Sequence, residues 1–191
     1  MLQGFLNYQR DTMVWKVEGL DRTQALLRLV PSGTTLLGML KHLAYVERYW
    51  FRSVLAAEDV PFPWSDHDPD ADWRIEPGET VESIIALYRE ECGAADGAAA
   101  AYALDDVSRG QDRHFSLRWI LGHMIEETAR HCGQADILRE LTDGAVGACQ
   151  QSEESKLAAD RTRPTVCNCP LGCPCPAATT AMVGTATLLI H

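Results

Sequence analysis

Apolar residues recur at mixed three- and four-residue spacing along most of this chain, the period of a helix that buries one face. Residues 2–18 follow that spacing and stop at Gly19. Pro31-Ser32-Gly33-Thr34 breaks the chain and offers Ser32 or Thr34 as the cap of a second, strongly apolar helix running to about Ala57. Residues 58–79 are rich in Pro and Asp and read as a long loop. A third helix fits 80–103, weakened near Gly93 and Gly97. Ser116 caps a fourth, which closes at Asp143-Gly144 with a C′ glycine. No stretch alternates with period two over a convincing length. The pattern predicts an all-α protein in which four amphipathic helices form a bundle.

From about Cys149 the text changes. A polar, linker-like run is followed by a Cys/Pro/Ala/Thr-rich segment with neither helical nor strand period. The expected organisation is therefore a helical domain over 1–147 and a disordered, low-complexity tail over 148–191.

The 191 residues have room for one domain with a real core. With 27 acids against 17 bases, the net charge of −10 argues against a nucleic-acid surface and against attraction to anionic lipid. No apolar run reaches the roughly 18 residues of a spanning helix. The start lacks a basic stretch followed by an apolar one, so a cytoplasmic protein is expected. Cys92, Cys132 and Cys149 are scattered, as in a reduced protein, whereas Cys167, Cys169, Cys173 and Cys175 crowd together in the tail.

Candidate chemistry sits on helices two and four. On the fourth, Leu117, Leu121, Met124, Thr128, Ala135 and Leu138 form an apolar stripe that contains His131, with Glu127 on its flank and His123 further round. Glu127 and His131 are an i,i+4 pair, so their side chains are neighbours. On the second helix, Lys41, Arg48 and Arg52 mark the expected wet face, Met39, Leu43 and Trp50 the buried one, and His42 its flank. A carboxylate and an imidazole facing a core are costly unless satisfied, by a His–Glu hydrogen bond or by a metal. His42 with Glu127 and His131 gives two imidazoles and a carboxylate, a ligand set for zinc that also suits nickel or iron. Spacing leaves His123 as a rival ligand, since His123 and Glu127 are also four apart. Glu47, on the buried half of helix two, reads either as a salt bridge to Arg118 or Arg130 or as a group orienting a ligand.

The runs LVPSGTTLLGMLKHLAYVERYWF, WSDHDPDADW and LRWILGHMIEETARHCGQADILREL, in that order, resemble the DinB/YfiT-like superfamily of metalloenzymes, above all its actinobacterial mini-circle-type branch. The resemblance covers about residues 2–147 and implies an up-down-down-up four-helix bundle holding a divalent metal at one end. Many members carry one histidine on helix two and a His-x-x-x-His before a Gly-Gln on the last helix. Aligned on His131-Cys132-Gly133-Gln134, the implied ligands are His42, Glu127 and His131, with Glu127 in place of the first histidine of the pair. The mycothiol-dependent maleylpyruvate isomerase is similar in its metal-binding domain, with a His, Glu, His site. Its extra C-terminal domain has no counterpart here, which argues against isomerase activity itself.

The resemblance implies a transferase using mycothiol or another low-molecular-weight thiol on a small-molecule substrate, the metal activating the thiol. The alternatives are a hydrolase with a metal-activated water, or a non-catalytic bundle pairing as a homodimer through an apolar helix-one/helix-two surface. No catalytic or thiol-binding residue is assigned, although His123, Trp50 and Trp64 could line a pocket mouth or simply pack. Asp66, Asp68, Asp70 and Asp72 start like a calcium loop, but Ala71 stands at the glycine position and Pro77 at the final glutamate. An EF-hand is rejected in favour of a solvated loop pinned by Trp64 and Trp73. The tail cysteines lack the usual Cys-x2-Cys spacing and read as an extension rather than a zinc module.

Overall fold

A computed structural model of the chain describes residues 1–110 and 114–147. The expected disordered tail, with Cys149 and the four clustered cysteines, lies outside them. Five helices carry the fold: α1 (Leu2–Trp15), the one-turn α2 (Arg22–Ala25), α3 (Leu36–Glu47), α4 (Val81–Ala99) and α5 (Leu117–Asp143). A π-helical segment, Arg48–Leu55, continues α3 without a break, and a short 3₁₀ turn, Ala71–Trp73, interrupts the long loop. The described residues contain no strand, and none of their helices is long and apolar enough to cross a membrane.

Two apolar clusters give the helix directions. At one end Leu6 of α1 meets Leu117–Met124 of α5, Ala95 and Ala99 of α4, and Phe51, Val54 and Leu55 of the π segment. At the other, Met13 and Val14 of α1 meet Cys132, Ala135 and Leu138 of α5, Leu36–Leu43 of α3 and Val81–Tyr88 of α4. So α1 and α5 run one way and α3 and α4 the other, the expected up-down-down-up bundle. The connection from the π segment to α4 must retrace the bundle, which is why the loop over 56–80 is long.

Helix ends follow local chemistry. Ser116 caps α5 by accepting from Trp119 N, and Gly144 ends it at φ +79°, where a side chain would be strained. Thr80 and Ser83 form a reciprocal cap on α4, which stops at Ala99 rather than 103. The cap of α3 is Thr35, accepting from Gly38 N, in place of Ser32 or Thr34. The capping box of Asp21 and Gln24 that starts α2 lies in a stretch where the periodicity marks no helix.

The expected wet face of helix two is largely covered. Lys41 is buried and donates to Arg74 O and Glu79, while Arg48 and Arg52 both reach Glu91 of α4. These long side chains bury their stems and find carboxylates on the loop and on α4, so charge did not mark solvent here. Consequently α3 offers no large exposed apolar residue for pairing, and on α1 Phe5 alone is of that kind.

Two close approaches seat the loops. A Cβ at Gly38 would lie 2.5 Å from Trp73 O, and one at Gly110 would lie 2.4 Å from Ser53 O. Gly38 therefore lets the 3₁₀ turn rest directly on α3, one helical turn before His42. Gly110 N and Arg109 N donate to Val54 O and Leu55 O, satisfying the carbonyls at the end of the π segment.

Candidate metal centre

His42 projects from the middle of α3 toward α5, where Glu127 and His131 stand one turn apart. One donor atom from each of the three lies within 4.8 Å of the others, the grouping able to hold a metal ion among the described residues. His42 Nε2 is 3.9 Å and His131 Nε2 3.2 Å from Glu127 Oε1. His131 is buried and the other two are half-buried.

The outer nitrogens decide what the inner ones can do. His42 Nδ1 is 2.7 Å from Asp72 Oδ2, and His131 Nδ1 is 2.8 Å from Gln134 Oε1. An ionised carboxylate and an amide oxygen only accept, so each Nδ1 carries its proton and donates. In a neutral imidazole that leaves a lone pair on each Nε2, and both lone pairs face the Glu127 carboxylate. Three acceptors thus converge with no proton of their own between them, an arrangement relieved by a cation or by protonating the rings. The donor set fits a divalent ion: two Nε2 lone pairs and a carboxylate, each imidazole oriented by an outer acceptor.

Aromatic packing completes the setting. Trp73 stacks on His42 with ring centres 4.1 Å apart and meets the edge of His131 at 5.6 Å. His123 is elsewhere: it stacks on Trp119 at 5.1 Å and meets Trp50 at 4.7 Å, and it is outside the metal-competent group. An open cleft of about 920 Å³ borders His42 and is lined by Tyr49, Trp50, Trp64 and Trp73, so Trp50 and Trp64 do line a pocket beside the histidine.

Three readings of the sequence change. Glu47 is fully buried and takes a bidentate pair from Arg10 of α1, at 2.7 and 2.6 Å, whereas Arg118 pairs with Asp105 and Arg130 with Glu126. Asp72 is not solvated: at 4% exposure it is the acceptor that orients His42. Gln134, legible only as part of a motif, is the acceptor that orients His131, and its i,i+3 spacing was the signal for that role. Trp64 and Trp73 do pin the acidic loop, Trp64 edge-on to Tyr45 at 6.1 Å and Tyr49 at 6.5 Å, and Trp73 by stacking on His42.

Neither described free cysteine offers a nucleophile. Burial pushes the Cys132 thiol up to about 12, aided by Asp136, and its Sγ donates to Gln9 O. Burial raises the Cys92 thiol further, with the Glu47 charge adding to the effect. Both remain protonated and unreactive near neutrality.

The mycothiol-S-transferase family model matches residues 1–144, which is the whole bundle. No curated protein and no solved structure matches this chain. With the resemblance to DinB/YfiT-like bundles thus given a specific family, the chain belongs to the mycothiol-S-transferases.

Proposed function

We propose that this chain is a metal-dependent transferase in which His42, Glu127 and His131 hold a divalent ion, zinc first with nickel or iron as alternatives, and mycothiol is the thiol conjugated to a small electrophile. The observation that carries the proposal is the convergence of two Nε2 lone pairs on the Glu127 carboxylate, with Asp72 and Gln134 turning both rings inward. The family match over residues 1–144 supports the thiol. The inert Cys92 and Cys132 support a thiol supplied from outside the bundle.

When bound, a divalent ion supplies Lewis acidity that lowers the pKa of a thiol placed on it, so that sulfur is nucleophilic at neutral pH. The protein's own residues do the rest. Asp72 and Gln134 accept from Nδ1 of the two imidazoles and so turn each Nε2 toward the place a ligated ion would take. Trp73 covers one face of His42 and limits water on that side. The cleft leaves the His42 side open, giving the thiol proton a route to solvent and the electrophile a route in. A carbon–sulfur bond then forms as the electrophile's leaving group departs with its electron pair.

The test is mycothiol consumption with a panel of alkylating electrophiles, paired with thiol titration of a cobalt-substituted sample. Thiol-dependent conjugation and a change in the cobalt spectrum are expected, both lost in His131→Ala and kept in His123→Ala. A stably bound metal whose spectrum ignores the thiol would instead favour a non-catalytic bundle.

A further inference from the structure

The cleft beside His42 has a character that the transferase reading does not use. Its walls are the rings of Tyr49, Trp50, Trp64 and Trp73, and its rim carries the carboxylates of Asp66 and Asp70. Among the described residues no lysine or arginine lines it. The cations on neighbouring segments are already engaged: Arg74 by Asp68, Arg48 by Glu91, and Arg52 by Glu58 and Glu91. Asp72 is committed to His42, whereas Asp66 and Asp70 form no ion pair among the described residues.

The rings are braced against one another. Trp64 stacks on Phe62 and meets Tyr49 edge-on at 6.5 Å, Tyr49 meets Trp50 at 5.4 Å, and Trp73 lies flat on His42. Rings held in this way lose little freedom when a flat molecule slides between them. Aromatic faces attract cations, and the carboxylates of Asp66 and Asp70 add negative potential at the mouth, that of Asp70 partly offset by Arg74. A carboxylate-bearing molecule entering the same cleft would meet acids and π faces, and the charge of an ion held at His42 would already be offset by Glu127 and Asp72.

We propose, resting on the transferase reading above, that this cleft admits the electrophile as a planar, positively charged aromatic molecule and discriminates against planar carboxylates. Recognition lies in Trp50 and Trp64 as stacking walls and in Asp66 and Asp70 as the charge filter. His42, at the inner edge, sets how deeply the molecule reaches toward the ligand cluster.

Isothermal titration of the full chain at physiological salt tests this with two flat probes, proflavine as the cation and anthracene-9-carboxylate as the anion. Proflavine should bind at least about tenfold more tightly. The double variant Asp66→Asn/Asp70→Asn should weaken proflavine by about tenfold and narrow the gap between the probes. Trp64→Ala should weaken both. Glu82→Gln/Glu90→Gln removes the same charge from exposed positions of α4 that do not line the cleft and should change neither probe. Equal affinity for the two probes, or an equal loss in the α4 control, would overturn the proposal. Because the asparagine substitutions lie on an exposed loop, folding does not confound them. Neither probe requires an ion or a thiol, so a protein that discriminates but takes up no offered ion sinks only the transferase reading. A working transferase that does not discriminate sinks only this inference.

Discussion

Two buried polar clusters lie between the helices of this bundle, and they are built on opposite principles. Arg10, Glu47 and Asp96 form a closed set: Arg10 gives two hydrogen bonds to Glu47 and one each to Asp96 and Asn7. Each guanidinium nitrogen of Arg10 meets an acceptor, and the cation sits between the two carboxylates. At His42, Glu127 and His131 the outer nitrogens take up the donors of neutral rings, and three acceptors converge. The first cluster orders α1 against α3. The second is satisfied by a cation or by protonated rings, and it opens onto a cleft. Burial of polar groups therefore does not mark a site in this fold; an excess of one kind of hydrogen-bonding capacity does.

Breaking the closed cluster should give the largest effect. Arg10→Met keeps the aliphatic stem but leaves a buried carboxylate unpaired, and roughly 3–5 kcal/mol of stability should be lost in denaturant unfolding. Burial already pushes the Glu47 carboxyl up, against the pull of Arg10. Without Arg10 its folded pKa rises further above the unfolded value, so the variant should lose stability as pH rises through that interval and be least impaired in mild acid. Replacing both partners with apolar residues, Arg10→Met with Glu47→Leu, should recover most of the loss. Metal content per folded chain should stay constant throughout, which is the contrast between the clusters in one experiment.

The open cluster should respond in the opposite sense. His131→Ala removes a ligand and should abolish stoichiometric metal binding, with little loss of unfolding free energy in metal-free protein. Asp72→Asn alters only the partner of His42 and should weaken metal affinity by about 10–100-fold, measured by competition with a chelator. Smallest is the behaviour of the thiols. With Cys132 near 12, alkylation by iodoacetamide at pH 8 should be far slower in folded than in denatured protein. The folded form also holds that proton more tightly than the unfolded one, so this thiol contributes stability that is lost as pH rises from about 9 toward 12.

The bundle was legible because its signals are local and periodic. The stripe on α5, the Ser116 cap and the Gly144 stop each depend on residues within a few positions of one another. His42, Glu127 and His131 were legible as candidates for the same reason, though spacing by itself could not choose Glu127 over His123. The resemblance made that choice, and His123 packs between Trp50 and Trp119. What periodicity could not see was long-range pairing. Glu47 finds Arg10 from a separate helix, and Lys41 finds Glu79 across the loop. Asp72 looked like one more acid in a polar loop until Gly38 allowed that loop to touch α3. Each depends on which segments the fold brings together, information that a one-dimensional charge pattern does not contain.

The central claim, that the unbalanced cluster holds a metal, is tested most directly by elemental mass spectrometry. Wild-type protein and its His131→Ala variant, both full length and purified without a histidine tag, would be compared after each divalent ion is offered and excess removed. About one ion per chain in the wild type, gone in the variant, is the expected result. An equal metal content in both proteins, or none in either, would contradict the claim and leave His42, Glu127 and His131 as hydrogen-bond partners of the bundle.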